Sequence, residues 1–442
     1  MKSRLACVSL LLAACAAYAR PTGNTGPRPY LEAALQAANW LDSVAVPVDG
    51  GRAWPSDPAR SQDPDWTLYA GSPGVVLLHL ELFAATGDEL WLERARQGAD
   101  ALLGWTEASL AGSAPGLYTG SAGVGFALLE TWRASGDERY RAGTVAVLES
   151  LAAGAERDGA SARLGAVTDV IAGDAGVGFF LLRTARELER PQDLELAAAL
   201  GRGLLAVADR SDAGWDWAMT PSYARRMPNF SHGTAGVATF LAALYGETGG
   251  VDYLEGALGG AQHLLVIAHD SSGGLRVYHH APEGEDLFYL GWCHGPTGTA
   301  ILFRTLAQLE QGHSWMETEE RFTRSLLSAG LPDARPDGYW NNVGICCGAA
   351  GVANFLLDTH RRQGRADALE LARNLTADIL SRATRDGVGL RWEHAEHRVR
   401  PDFLSTQTGF MQGAAGVALW LLRLDAFEQG RERAIRLPDS PG

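Results

Sequence analysis

The sequence predicts an all-α fold: an α/α toroid of seven inner and seven outer helices, with short β-hairpins in its loops. Three observations predict it. First, a Gly-x-x-Gly pair recurs seven times, each time followed by an apolar helical run. The first glycines are Gly71, Gly120, Gly173, Gly233, Gly295, Gly348 and Gly413, spaced 49, 53, 60, 62, 53 and 65 residues apart. Second, another glycine falls 16 residues on in four copies (Gly87, Gly136, Gly249, Gly364) and 17 on in two (Gly312, Gly430), a helix stop. The third copy has Pro191 near that point. Third, an extra amphipathic helix, Tyr30 to Ala45, precedes the first pair. It finds an inner partner only in the last inner helix, Gly413 to Leu424, and that pairing closes a ring.

Taken in order, the chain begins with a processing segment. Lys2 and Arg4 form a basic start, and Leu5 to Ala14 an apolar run too short to span a bilayer. Two cleavage readings compete. Ala17-Tyr18-Ala19 is an A-x-A site that removes residues 1–19 as a signal peptide. Leu12-Ala13-Ala14-Cys15 is a lipobox that removes residues 1–14 and lipidates Cys15. Either way the protein is expected to be exported, to the periplasm, the cell envelope or the medium. A lipid on Cys15 would be its one attachment to a membrane.

Residues 20–432 carry the repeats. Each unit reads as helix, tight turn, helix, long loop. Runs such as Val75 to Leu82 and Val237 to Leu244 are apolar on most faces and belong inside. Leu92-Glu93-Arg94-Ala95-Arg96 mixes charge with apolar residues and belongs outside. Gly87-Asp88-Glu89 and Gly136-Asp137-Glu138 restart helices with acids suited to an N-terminal dipole. The loops before each glycine pair are long enough to carry function. Leu275 to His280 and Leu390 to His394 alternate as hairpins do. Residues 433–442 read as a short ordinary tail.

The formal charge of −14 on 442 residues excludes a nucleic-acid partner, which needs a basic face. Apolar content of 46% suffices for a large core. The chain is expected to act as a monomer.

The repeat places chemistry. Residues just before a first glycine share one mouth of the ring, at helix N-termini. Cys293, His294, Cys346, Cys347 and His232 stand there, with Asp169 four residues ahead of Gly173. The other two of the five cysteines, Cys7 and Cys15, lie in the processing segment. Three cysteines on neighbouring repeats suit Zn2+, which in catalytic sites keeps three protein ligands and an open fourth position. A vicinal Cys346–Cys347 disulfide and three buried free thiols are the alternatives. His294 is a further candidate ligand or a support for one. His232 and Asp169 are candidate catalytic residues; a structural histidine and a helix-capping aspartate are the plainer readings. His279, His280, His394 and His397 read as solvated loop residues.

Trp292-Cys293-His294-Gly295, Cys346-Cys347-Gly348, Ser231-His232-Gly233-Thr234-Ala235-Gly236 and Asp169-Val170-Ile171-x-Gly173 resemble the lanthionine synthetase C-like proteins, the lantibiotic cyclases and their relatives. The resemblance runs through nearly all of residues 60–430. It implies an α/α toroid with a central zinc ion that activates a peptide thiol for addition to dehydroalanine or dehydrobutyrine, closing a thioether. By position it implies Cys293, Cys346 and Cys347 as zinc ligands, and His232 and Asp169 as handlers of protons. It implies a peptide or small-thiol substrate.

Three features depart from the family pattern. Cys347 stands where the family more often has His. Tyr289 stands where bacterial cyclases tend to have Arg. The apparent export signal separates this chain from cyclases that work in the cytoplasm. Two other classes therefore stay open. One is a carbohydrate-active toroid, which needs paired carboxylates such as Asp169 and Asp216. The other is a non-catalytic zinc protein that binds thiols or peptides.

Overall fold

The computed structural model describes residues 26–271, 273–310 and 313–440. The processing segment, with Cys7, Cys15 and both cleavage sites, lies outside the described residues. Helix α1 (Pro29–Ser43) comes first. Six helical hairpins follow: α2 (Ser72–Thr86) with α3 (Glu89–Ser109), α4 (Ser121–Ser135) with α5 (Glu138–Gly154), α6 (Asp174–Glu187) with α7 (Pro191–Ala206), α8 (Thr234–Thr248) with α9 (Val251–Ile267), α10 (Pro296–Glu310) with α11 (His313–Leu327), and α12 (Ala349–Gln363) with α13 (Ala366–Ser381). Helix α14 (Ala414–Glu428) packs on α1 and on α2, so the ring is closed. Seven inner helices (the even-numbered ones) and seven outer helices form the toroid the sequence predicts. No described helix is long and apolar enough to cross a membrane.

The inner helices are buried on every side because they touch two inner neighbours and an outer partner. In α2, Val75, Val76, Leu77, Leu78, Leu80 and Leu82 are all fully buried, each contributing about 1.5–3 kcal/mol by leaving water. Helix α2 ends at Gly87, whose φ of 69° is the left-handed stop the repeat predicts. Its successor α3 starts on Asp88, whose side chain accepts the Leu90 N–H.

The seven turns that open the inner helices are joined by a closed belt of backbone hydrogen bonds. The residue two before each first glycine meets its counterpart in the next repeat. Tyr69 N–H donates to Tyr118 O (2.8 Å), Tyr118 to Ile171 (2.9 Å), Ser231 to Cys293 (3.0 Å), Cys293 to Cys346 (3.0 Å), Cys346 to Met411 (2.9 Å) and Met411 back to Tyr69 (2.9 Å). In the third turn Val170 N–H supplies the link to Ser231, at 3.2 Å. The belt explains the second glycine of each pair. A Cβ on Gly298 would lie 2.0 Å from the Trp292 carbonyl oxygen, and one on Gly416 1.7 Å from that of Phe410.

Among the described residues the loops form six two-stranded hairpins, four more than the two expected: β1 (Val46–Val48) with β2 (Gly51–Ala53), β3 (Glu156–Asp158) with β4 (Ser161–Arg163), β5 (Asp209–Ser211) with β6 (Gly214–Asp216), β7 (His269–Ser271) with β8 (Gly274–Arg276), β9 (Thr384–Arg385) with β10 (Leu390–Arg391), and β11 (His394–Ala395) with β12 (Leu404–Ser405). Trp54, Trp217 and Trp392 stand just after a hairpin strand. Each donates its indole N–H at 2.8 Å to a carbonyl near the end of an outer helix (Leu41, Leu204 and Ile379). Each of these carbonyls also accepts the backbone N–H three residues on, so the indole ties the hairpin to a helix end that is already capped.

The tail is not an ordinary surface segment. Ala434, Ile435 and Asp439 are buried. The buried Glu81 of α2 accepts the backbone N–H groups of Ala434 (3.0 Å) and Ile435 (2.9 Å). Asp439 accepts the Tyr118 hydroxyl at 2.8 Å. The tail thus enters the ring among the C-terminal halves of the inner helices and reaches up to the side chain of a belt residue.

Candidate metal centre and its proton-handling pair

Cys293 and Cys346 are consecutive belt residues, so one backbone hydrogen bond sets them side by side. Cys347 follows directly. The three sulfurs lie within 4.8 Å of one another. Cys293 Sγ is 3.1 Å from Cys347 Sγ, and Cys347 Sγ is 3.5 Å from Cys346 Sγ. All three are free cysteines, so the vicinal disulfide is not formed. Cys293 and Cys346 are 3% and 4% exposed.

This donor set fits a metal ion. Zinc–sulfur bonds of about 2.3 Å place the sulfurs of a tetrahedral site roughly 3.8 Å apart, and these thiols are grouped on that scale. Their charges also call for a cation. Hydrogen bonds from Cys293 and then Cys347 push the Cys346 thiol well below its usual range, while burial pushes Cys293 well above it. Two supports come from the first and last repeats. Gln412 Nε2 lies 3.6 Å from Cys347 Sγ and 3.3 Å from the Tyr69 hydroxyl, so both side chains stand beside the cluster.

His232 precedes Gly233 at the neighbouring turn, and its Nδ1 lies 2.6 Å from Asp169 Oδ2. Asp169 is 1% exposed and is oriented by its other oxygen, which accepts the N–H groups of Ala172 (2.7 Å) and Gly173 (3.0 Å). The carboxylate thus fixes the Nδ1–H tautomer and leaves Nε2 without a hydrogen-bond partner among the described residues. Burial works against the charged imidazolium, but the hydrogen bond and charge of Asp169 outweigh it, so the His232 pKa is raised.

His294 lies outside the sulfur cluster. Its Nε2 is 3.5 Å from Ser231 Oγ, and burial pulls its pKa well below the usual value. Its ring stacks on His279 with centroids 4.0 Å apart. The loop histidines need correcting. His280 and His394 are 8% and 1% exposed, and His279 packs on Tyr289 at 4.4 Å; only His397 is exposed. The long loops fold inward over the mouth, and burial drives His279 down to about 3. Tyr289, in turn, packs on Trp340 at 5.0 Å. Burial pushes the Tyr289 hydroxyl up to about 12, an effect that Arg398 partly opposes. Asp216 is committed elsewhere, accepting the Thr234 hydroxyl at 2.5 Å with Arg226 3.5 Å away.

Fold and site together define an α/α toroid with a thiol cluster and a His–Asp pair at one mouth. The sequence matches the lanthionine synthetase C-like protein family over residues 62–434, and the chain belongs to that family. No curated protein sequence matches it. Among solved structures it is similar to nisin cyclase, at 16% identity and a TM-score of 0.62, covering 86% of this chain and 93% of that one. A protein from Listeria innocua is 13% identical with a TM-score of 0.52, covering 91% and 99%. A GH76 α-mannanase from Bacteroides thetaiotaomicron is 11% identical with a TM-score of 0.52, covering 90% and 96%. At these identities the neighbours share the toroid and nothing finer.

Proposed function

We propose that this protein is an exported, zinc-dependent, lanthionine synthetase-like enzyme that adds a thiol to dehydroalanine or dehydrobutyrine in a peptide. The observation that carries the reading is the placing of the His232–Asp169 pair on turns next to the three-cysteine cluster, within one belt. Zinc held by Cys293, Cys346 and Cys347 would supply a Lewis acid that lowers the pKa of the substrate thiol.

The residues of the chain supply the rest. In the addition, sulfur bonds to the alkene β-carbon and the π pair moves to the α-carbon, giving an enolate. The thiol loses one proton and the α-carbon gains one, so the net change is addition of S–H. His232, held through Nδ1, presents Nε2 as the acid that protonates the α-carbon. Asp169 fixes the tautomer and supports the imidazolium. Tyr289, Trp340 and His279 form an aromatic wall suited to an extended peptide.

The test is single-turnover addition of a cysteine-containing peptide to its dehydrated residue, with zinc measured alongside. Zinc-loaded protein that reacts with neither a dehydrated peptide nor a small thiol would leave a binding role. Export rests on residues 1–19 and is tested by mass spectrometry of the mature N-terminus. Loss of 14 or 19 residues is expected, and an intact Met1 inside the cell would overturn it.

A further inference from the structure

Below the belt, the axis of the ring holds a partly open cavity of about 330 Å³. Its roof includes Tyr118, Trp292 and Phe410, so aromatic rings separate it from the sulfur cluster. Its lower wall is the tail. Its sides are partly apolar, with Phe355, Ile301 and Leu419, and partly arginine.

The charges lining this cavity do not pair off. Asp358 accepts Arg423, and Glu432 accepts Arg361. Glu81 is spent on the tail backbone, and Asp439 on Tyr118. Arg304 goes to Glu319 at 2.8 Å. Arg433 is left over, with neither a hydrogen bond nor an ion pair among the described residues. Two cations, Arg423 and Arg436, stand near it, and Arg423 keeps a buried Nε without a hydrogen-bond partner. Burial, then repulsion from Arg423, drags the Arg433 pKa down to about 9, against the pull of Asp358 and Glu81. A guanidinium has five donors in a fixed fork, and those of half-buried Arg433 have no protein partner among the described residues.

We propose that this cavity binds a small organic anion, a carboxylate or phosphate head group on an apolar body, held through Arg433. The head group takes the guanidinium fork, which matches either oxyanion in two-point geometry. The apolar body lies against Phe355, Ile301 and Leu419. Because Arg433 belongs to the tail and Phe355, Ile301 and Leu419 to the ring, the anion ties the tail to the ring.

The test titrates the full chain calorimetrically with orthophosphate, phenyl phosphate and phenylacetate. At least one should bind saturably below millimolar concentration, and which one does assigns the head group. Arg433→Gln should weaken that binding at least about tenfold, with Arg433→Lys intermediate because it keeps charge but not the fork. Arg186→Gln, an equal charge change at an exposed residue outside the cavity lining, should leave it unaltered. Independently of any variant, the bound anion should slow release of residues 433–442 by a carboxypeptidase. Failure of all three probes to saturate the wild-type chain, or an Arg433→Gln protein that binds as tightly, would overturn the proposal. Thioether formation plays no part in these readouts, so they stand or fall separately from the proposed function.

Discussion

His232 Nδ1 and Asp169 Oδ2 lie 2.6 Å apart although 63 residues separate them, and the carboxylate is itself clamped by two backbone N–H groups. The pair is therefore prepositioned by the turns of two adjacent repeats. His232→Ala should keep full zinc content and lose activity by about 10²-fold or more. Asp169→Asn should also keep zinc.

The pH dependence separates the two roles. A histidine with a raised pKa keeps its proton to higher pH, so activity that needs the acid form should decline only as pH rises through that raised value. Asp169→Asn removes the group that raises it, and the decline should move to lower pH. The same linkage makes the pair's contribution to stability complete below about pH 6.5 and lost above the folded pKa. A pH–rate profile of both proteins reads the effect; superimposable profiles would detach Asp169 from His232.

Replacing Cys293, Cys346 or Cys347 with Ser should each lower zinc occupancy, because a site with an open fourth position has no ligand to spare. Cys347→His should retain the ion, since imidazole is also a zinc ligand. Elemental analysis of the purified chains checks both, and full occupancy in all three serine variants would place the metal elsewhere.

Gly298→Ala puts a methyl group 2.0 Å from the carbonyl oxygen of Trp292, the residue before Cys293. The turn has to shift, so both thermal stability and zinc content should fall. Gly364→Ala is the comparison. There φ is +69° and the added carbon meets open space, so the change should cost about 1 kcal/mol and leave zinc alone. Equal zinc loss in both would mean that the effect is global.

Asp439 is 3% exposed, and burial pushes its carboxyl up to about 6 despite the Tyr118 hydroxyl. The folded chain therefore holds this proton more tightly than the unfolded one. Stability should fall as pH rises from about 4 to about 6, by up to ~3 kcal/mol. Asp439→Asn should flatten that part of the curve. Denaturant melts at several pH values test it, and an unchanged slope would show that Asp439 does not titrate there.

The ring was legible because its signal is repeated. The same rule that placed Cys347 and His232 before their glycines also places Gln412 before Gly413, and Tyr69 two before Gly71. Neither was singled out, since glutamine and tyrosine do not announce metal chemistry as cysteine does. His279 and Arg398 were illegible for a different reason. They come from loops without a register, and only the folding of those loops half-buries them. The tail has no periodicity at all, so nothing in residues 433–440 marks Arg433 as a cavity-lining group or Asp439 as a buried one.

The pairing of α1 with α14 has a consequence in time. The belt is continuous only when the last turn has met the first, Met411 bonding to Tyr69. A chain still being synthesised carries its cysteines on turns whose neighbours are not yet all in place. Contacts so distant in sequence are slow to form. An ion that binds the finished cluster acts as a late clasp, selecting molecules whose two ends have already found each other.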